Sequence, residues 1–145
     1  MAKLTWSDIF VDGAALDAAR LFQQWPATVQ GRVALIGASA FGDLFFQRPD
    51  GAVHRLDVLE GGIHPVAETF DDFTRCMNSS EWQEGKLLTS GVALLVERGV
   101  RRGAGQFYGF APHPSLTGKI DWQCVMALDA VVWHSICAQL LDGKV

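Results

Sequence analysis

Short apolar runs, each closed by a glycine or proline turn, fill the middle of the chain. Leu44, Phe45 and Phe46 follow a Gly42–Asp43 turn signal, and the residues Pro-Asp-Gly at 49–51 end the run. In residues 53–58, Val53, Leu56 and Val58 are interleaved with polar side chains, and the glycine pair at 61–62 ends the segment. These patterns predict two consecutive strands, and residues 63–66 predict a short third strand.

Helical periodicity flanks this group of strands on both sides. Residues 14–25 and 70–77 carry an apolar side at helical spacing, and two further helices are predicted after the cap residues Ser80, toward Leu87, and Asp129, through Leu141. Thr69, Ser80 and Asp129 are the predicted N-caps of the last three, because their side-chain oxygens can accept free backbone N–H groups. Residues 91–98 fit either a helix or a strand by pattern alone.

Further strands are predicted at residues 33–36, at residues 106–110 and within residues 121–128. Together the elements define an α+β fold, in which a mostly antiparallel sheet of four to six strands packs against helices, with helices at both termini. At 145 residues the chain has the size of a single domain, residues 1–145. We predict that Asp43 is structural and accepts backbone N–H groups of its own turn. Residues 112–114, Pro-His-Pro, predict a rigid surface turn.

Composition narrows the class of protein. Apolar residues make up 49% of the chain and charged residues 19%, which is typical of a globular domain with a large core. No apolar run approaches the roughly 18 residues that a membrane helix needs, and the first twenty residues lack a signal-peptide pattern. A net charge of −4 disfavours nucleic acid as a partner. We therefore expect a cytoplasmic protein that binds neither membrane nor nucleic acid.

Candidate catalytic groups do not form a recognised pattern. The three cysteines, Cys76, Cys124 and Cys137, are too widely spaced for a disulfide framework or a zinc site, so we expect reduced thiols. The four histidines lack metal-ligand spacing. The glycines at 103, 105 and 109 are spaced one residue too far apart for a dinucleotide fingerprint and precede a strand instead of following one. The sequence thus predicts no catalytic residue, no metal and no cofactor.

Acidic residues are concentrated between Asp57 and Lys86. This segment contains seven acidic and two basic residues, so its net charge is −5. We name as candidate partner-binding residues Glu60, Glu68, Asp71, Asp72, Glu81, Trp82 and Glu84. The acids are either the solvated face of two helices or a docking surface for a basic partner. Trp82 is either an aromatic interface residue or part of the core.

Several short motifs, in this order and spacing, resemble a known family. The motifs are Gly42-Asp43-Leu44-Phe45-Phe46, Asp50-Gly51, Leu56-Asp57, Val66-Ala67, Phe73, Trp82, Gly105-Gln106-Phe107-Tyr108-Gly109-Phe110, Leu116-Thr117-Gly118, and a C-terminal helix with His134, Ser135 and Gln139-Leu140. They resemble a small bacterial domain family named after the C-terminal domain of a type VI secretion DNase immunity protein, often found beside a GAD-like domain. The chain departs from the family at residues 116–118, where a paired glycine is expected.

The resemblance covers residues 30–142 and implies an immunity-type α+β domain preceded by a helical leader, residues 1–28. It favours a helix over residues 91–98. It also implies a non-enzymatic immunity protein that binds and neutralises a cognate secreted toxin, with a type VI secretion DNase effector as the leading candidate. Two alternatives stay open: a protein-binding or regulatory module with another partner, and a small ligand-binding domain or enzyme that uses residues 101–108.

Overall fold

The structure is a computed structural model that describes residues 3–144. A five-stranded antiparallel sheet forms the centre of the molecule. Its strands follow one another in sequence order and are Phe10–Asp12 (β1), Ala34–Ser39 (β2), Leu44–Gln47 (β3), Val53–Leu56 (β4) and Ile63–Ala67 (β5). A separate antiparallel pair joins Gln106–Phe110 (β6) to Val125–Asp129 (β7). The predicted strands are therefore present, and the main sheet gains β1 at its edge.

Seven α-helices accompany the sheets in the described part of the chain. They are Trp6–Ile9 (α1), Ala18–Phe22 (α2), Phe70–Met77 (α3), Ser80–Leu87 (α4), Thr89–Glu97 (α5), Pro114–Thr117 (α6) and Ala130–Leu141 (α7). The predicted α+β class, with helices near both termini, is confirmed. Among residues 3–144, no helix is both long enough and apolar enough to span a bilayer.

Local capping explains why the later helices match their predicted bounds. The Thr69 hydroxyl accepts the N–H of Asp72 at the start of α3, and Asp129 accepts two N–H groups at the start of α7. The N-cap of helix α4 is Ser79, one position before the predicted Ser80, because the Ser79 hydroxyl accepts the N–H of Trp82. The ambiguous segment 91–98 lies in a helix, α5.

The predicted helix over residues 14–25 is much shorter in the structure. Asp12 accepts the N–H of Ala14 and starts a 3₁₀ turn over Gly13–Ala15, and Asp17 then caps α2. Two separate capping carboxylates thus divide the segment, although Leu21 and Trp25 are buried as the apolar pattern implies. The residues before them form β1, so this N-terminal segment contributes a strand to the main sheet.

The turn between β2 and β3 is held from within and from outside. The Ser39 hydroxyl accepts the N–H groups of Phe41 and Asp43, and Gly42 takes a φ of +100° that other residues rarely adopt. We expected the Asp43 side chain to accept these N–H groups, and that expectation is wrong. Ser39 performs this function, which leaves the Asp43 carboxylate available for partners elsewhere.

Two aromatic residues of α7 fix the same turn from outside. Trp133 Nε1 donates to the carbonyl of Phe41 at 2.8 Å, and His134 Nε2 donates to the carbonyl of Gly42 at 2.8 Å. His134 Nδ1 accepts from the indole Nε1 of Trp25 at 3.0 Å. Because His134 is fully buried and uses both ring nitrogens, it links the N-terminal segment, the main sheet and the C-terminal helix.

We predict that His134→Ala lowers the free energy of unfolding by roughly 2–4 kcal/mol, because it opens a cavity and leaves buried polar partners unpaired. Urea denaturation measures the change. Ser135→Ala is the matched control, since the Ser135 hydroxyl accepts an exposed hydrogen bond from the Gln139 side chain and forms no other among residues 3–144. Similar midpoints and slopes for the two variants would contradict a linking role for His134.

Candidate functional site

The predicted acidic residues lie on several consecutive elements, from the turn after β4 to helix α4. Glu60 lies in the turn after β4, and Glu68 lies between β5 and α3. Asp71 and Asp72 form the first turn of α3, and Glu81 forms the first turn of α4. All of them are exposed except Asp72, which is half-buried. We call Glu60, Glu68, Asp71, Asp72, Glu81 and Glu84 the acidic surface.

Two members of the acidic surface have a local structural function. Asp72 pairs with Arg75 one turn later at 2.6 Å. Glu84 accepts the N–H of Ser90 and the hydroxyl of Thr89, both at 3.1 Å, and so caps α5, whose own N-cap residue is apolar. The carboxylates of Glu60, Glu68, Asp71 and Glu81 make no hydrogen bond or ion pair within residues 3–144, so they are the members available to a partner.

Trp82 belongs to the margin of the core. Its ring centroid lies 5.7 Å from that of Phe45 and 5.9 Å from that of Phe73, and the side chain is half-buried. The exposed aromatic residue of this surface is Phe70, which is 47% exposed at the first position of α3. Its ring centroid lies 6.3 Å from that of the buried Phe73, so Phe70 borders the core while about half of its surface stays exposed.

A cavity of about 560 Å³ opens next to this surface. It is lined by Asp43, Arg55, Asp57, Leu59, Glu60, Gly85, Lys86, Leu88, Pro114, Ser115, Gly118, Lys119 and Ile120. These residues come from the start of β3, the region around β4, the end of α4 and the region of α6. The sequence patterns do not predict this cavity, because its lining residues are far apart along the chain.

A buried ion cluster lies at the wall of the cavity. Asp43 Oδ2 accepts from Arg55 Nη1 at 2.9 Å, and Asp43 Oδ1 accepts the N–H of Val58 at 3.0 Å. Asp57 Oδ2 lies 3.5 Å from the same Arg55 nitrogen. Burial, with the negative charge of Asp57 as the next cause, raises the pKa of Asp43 to about 6 despite the opposing charge of Arg55.

His113 lies next to this cluster and is buried. The prediction of a surface turn over residues 112–114 is therefore wrong for this residue. His113 Nε2 donates to the carbonyl of Val58 at 2.8 Å, and Nδ1 accepts the N–H of Ser115 at 3.0 Å. Burial lowers the pKa of His113. Asp43 accepts the N–H of Val58, and His113 donates to the Val58 carbonyl. The two side chains together fix the backbone at Val58.

Residues 3–144 contain no group of three or more His, Cys, Asp or Glu side chains that could hold a metal ion. All three cysteines are free, with Cys137 buried and Cys76 and Cys124 half-buried. Burial raises the pKa of the Cys137 thiol, which disfavours the nucleophilic thiolate there. Of the arrangements described, the acidic surface with Phe70 suits a protein partner, and the cavity suits a small polar ligand.

Comparison with known proteins identifies the fold alone. The chain matches no protein-family model and has no significant match among curated proteins. Among solved structures it is similar to Atu4351 from Agrobacterium tumefaciens, with a TM-score of 0.57 and 19% sequence identity. The match covers 83% of this chain and 62% of Atu4351, so the chain spans less than two thirds of that protein. The resemblance to the immunity-protein family stays a hypothesis that rests on the sequence motifs.

Two buried groups give the stability opposite dependences on pH. The pKa of Asp43 is raised from 3.8 to about 6, so between these values the folded chain holds a proton that the unfolded chain has released. Stability therefore falls as pH rises through this window. Burial lowers the pKa of His134 from 6.5 to about 4, so in this window the unfolded chain holds the extra proton and stability rises with pH.

We predict that Asp43→Asn removes the stability contribution that falls as pH rises, which leaves the rising contribution of His134 unopposed by Asp43. Asparagine keeps an oxygen for the N–H of Val58 but removes the titration. Between pH 4 and 6, the free energy of unfolding of the variant should rise relative to wild type by about 1 kcal/mol per pH unit. Urea denaturation at closely spaced pH values checks this slope. Parallel profiles for wild type and variant would show that Asp43 does not titrate in this window.

Proposed function

We propose that this protein is a non-enzymatic immunity protein that binds a cognate secreted toxin inside the producing bacterium and blocks it stoichiometrically. A DNase effector of type VI secretion is the leading candidate for the toxin. The sequence resemblance motivates the class of protein. The observation that carries the proposal is that Glu68 and Asp71, which flank the exposed Phe70 along the chain, are exposed carboxylates without a partner among the described residues.

The positions of the motif residues support a division between scaffold and binding surface. Phe45, Phe46, Phe73, Phe107 and His134 are all buried, so these motif residues hold the fold together, whereas residues 116–118 are exposed. Immunity proteins sharing such a core would differ in their exposed residues, and each would match its own toxin there. The acidic surface belongs to this exposed set.

The chemistry of the acidic surface suits a nuclease partner. A DNase needs Lys and Arg side chains in its cleft, because its affinity for DNA depends on neutralising phosphates. Free carboxylates at Glu68, Asp71 and Glu81 would attract such a cleft and compete with DNA for it. Phe70 adds an apolar contact of the kind that contributes strongly to interface energy once water is excluded.

Co-purification and inhibition test the proposal directly. The protein should co-purify with the product of an adjacent toxin gene and inhibit its DNA cleavage at one-to-one stoichiometry. Cells that carry the toxin should survive only when this protein is also present. A toxin that cleaves DNA at the same rate with excess protein present would refute the proposal for that pair.

We predict that charge reversal at the acidic surface acts mainly on the association rate. Glu68→Lys combined with Asp71→Lys should slow association with the toxin at low salt and leave dissociation less affected. The difference from wild type should shrink as the Debye length falls from about 30 Å at 0.01 M to about 10 Å at 0.1 M salt. Stopped-flow association rates across a salt series measure both effects.

Phe70→Ala should instead raise the dissociation rate, with a loss of about 1–2 kcal/mol in binding free energy. Met126→Ala is the matched control, because Met126 is 48% exposed, like Phe70, but lies in β7. Equal affinities for the two alanine variants would place the contact away from Phe70. Unchanged rates for the charge reversal at every salt concentration would leave the acidic surface as a solvated face.

A further inference from the structure

The cavity beside Asp43 is the strongest feature that the proposed toxin contact does not use. Its volume of about 560 Å³ falls within the range of roughly 300–1,000 Å³ that is typical of small-molecule sites. Except for Glu60, its lining residues lie outside the acidic surface. A ligand for this cavity must therefore be inferred from the charges and apolar side chains that line it.

Negative charge is in excess at one wall of the cavity. A single nitrogen of Arg55 faces two carboxylates, Asp43 at 2.9 Å and Asp57 at 3.5 Å. The Asp57 side chain is only 9% exposed, and its Oδ1 accepts two backbone N–H groups. Its Oδ2 accepts no hydrogen bond from the described residues and lies 3.8 Å from the half-exposed His64, so it can still accept a donor from a ligand.

Glu60 adds a third carboxylate to the lining. It is exposed, and its oxygens have no partner within the described chain. A cationic group with several N–H donors, such as an ammonium, would satisfy both Asp57 Oδ2 and Glu60 and would offset the excess negative charge.

Positive charge lines the cavity from two other elements. Lys86 lies in the last turn of α4, and Lys119 follows α6. Both are exposed, and neither ammonium group forms an ion pair with the described residues. Leu59, Leu88 and Ile120 supply apolar lining, and Ile120 is 39% exposed. The cavity thus presents unpaired groups of both signs together with an apolar wall.

We propose that this cavity binds a small zwitterion of the amino-acid class. Its ammonium group contacts Asp57 and Glu60, its carboxylate contacts Lys86 and Lys119, and its hydrocarbon part packs against Leu88 and Ile120. Ligands that carry only one of the two charges leave one set of groups unpaired and bind more weakly. The inference goes beyond toxin binding and does not depend on it.

Isothermal titration calorimetry on the full chain tests the charge requirement. The probes are L-leucine and L-lysine, with leucine methyl ester lacking the carboxylate and N-acetyl-leucine lacking the ammonium. At least one free amino acid should bind at millimolar concentration or tighter. For leucine, each single-charge analogue should bind about tenfold more weakly than the parent.

Single variants then identify the cavity as the site. Lys119→Ala should weaken binding of the free amino acid about tenfold and leave the methyl ester unaffected, because the ester has no carboxylate to lose. Glu60→Gln should weaken the free amino acid and leave N-acetyl-leucine unaffected. Lys144→Ala and Glu97→Gln are the matched controls, since both residues are exposed and lie outside the cavity lining and the acidic surface.

No binding of either amino acid at millimolar concentration would overturn the proposal. Equal affinities of the analogues and the parent, or equal effects of cavity and control variants, would also overturn it. These outcomes differ from a failure of the toxin proposal, because no toxin is present in the titration.

Discussion

A buried neutral imidazole holds together parts of the chain that are more than a hundred residues apart. His134 accepts a hydrogen bond from Trp25 and donates one to the carbonyl of Gly42, which fixes one tautomer and one ring orientation. Burial lowers its pKa to about 4, so the link stays uncharged near neutral pH and needs no counter-ion. The turn between β2 and β3 is thereby fixed against α7, and this turn places Asp43 at the wall of the cavity.

From this turn the ion cluster extends into the β4–β5 region. Asp43 contacts Arg55 and the backbone of Val58, and His113 holds the carbonyl of Val58 from the other side. The cavity wall is therefore attached to the core through neutral and charged hydrogen bonds. Phe70, Glu68, Asp71 and Glu81 lie outside this network, so this part of the surface proposed for partner binding can vary while the fold is preserved.

Prediction from the sequence is most accurate for features that depend on residues close together along the chain, such as helix bounds set by a capping side chain. The bounds of α3 and α7 follow from Thr69 and Asp129, whose side chains cap backbone groups within three residues. Residues 14–25 were predicted as one helix because the apolar period continues across them, but capping by Asp12 and Asp17 divides the segment. Periodicity alone does not show where such an interruption falls.

Long-range partners account for the remaining differences between prediction and structure. Asp43 contacts residues twelve and fifteen positions away, and His113 contacts a residue fifty-five positions away. The proline-flanked position of His113 suggested a surface turn, yet its ring is 2% exposed. The sequence does not decide between core and interface for Trp82, and its contacts with Phe45 and Phe73 place it at the margin of the core. The cavity is also formed by residues that are far apart along the chain, so it cannot be predicted from local sequence patterns.

The edges of the main sheet affect how the protein behaves at high concentration. An open strand edge can pair with the edge of another molecule and start aggregation. Here one edge strand, β1, has only three residues, and the other, β5, carries Pro65, which has no N–H to donate. Both edges are therefore poor templates for intermolecular pairing. A sheet with edges of this kind resists edge-to-edge pairing at concentrations where a long, open strand edge would begin to associate.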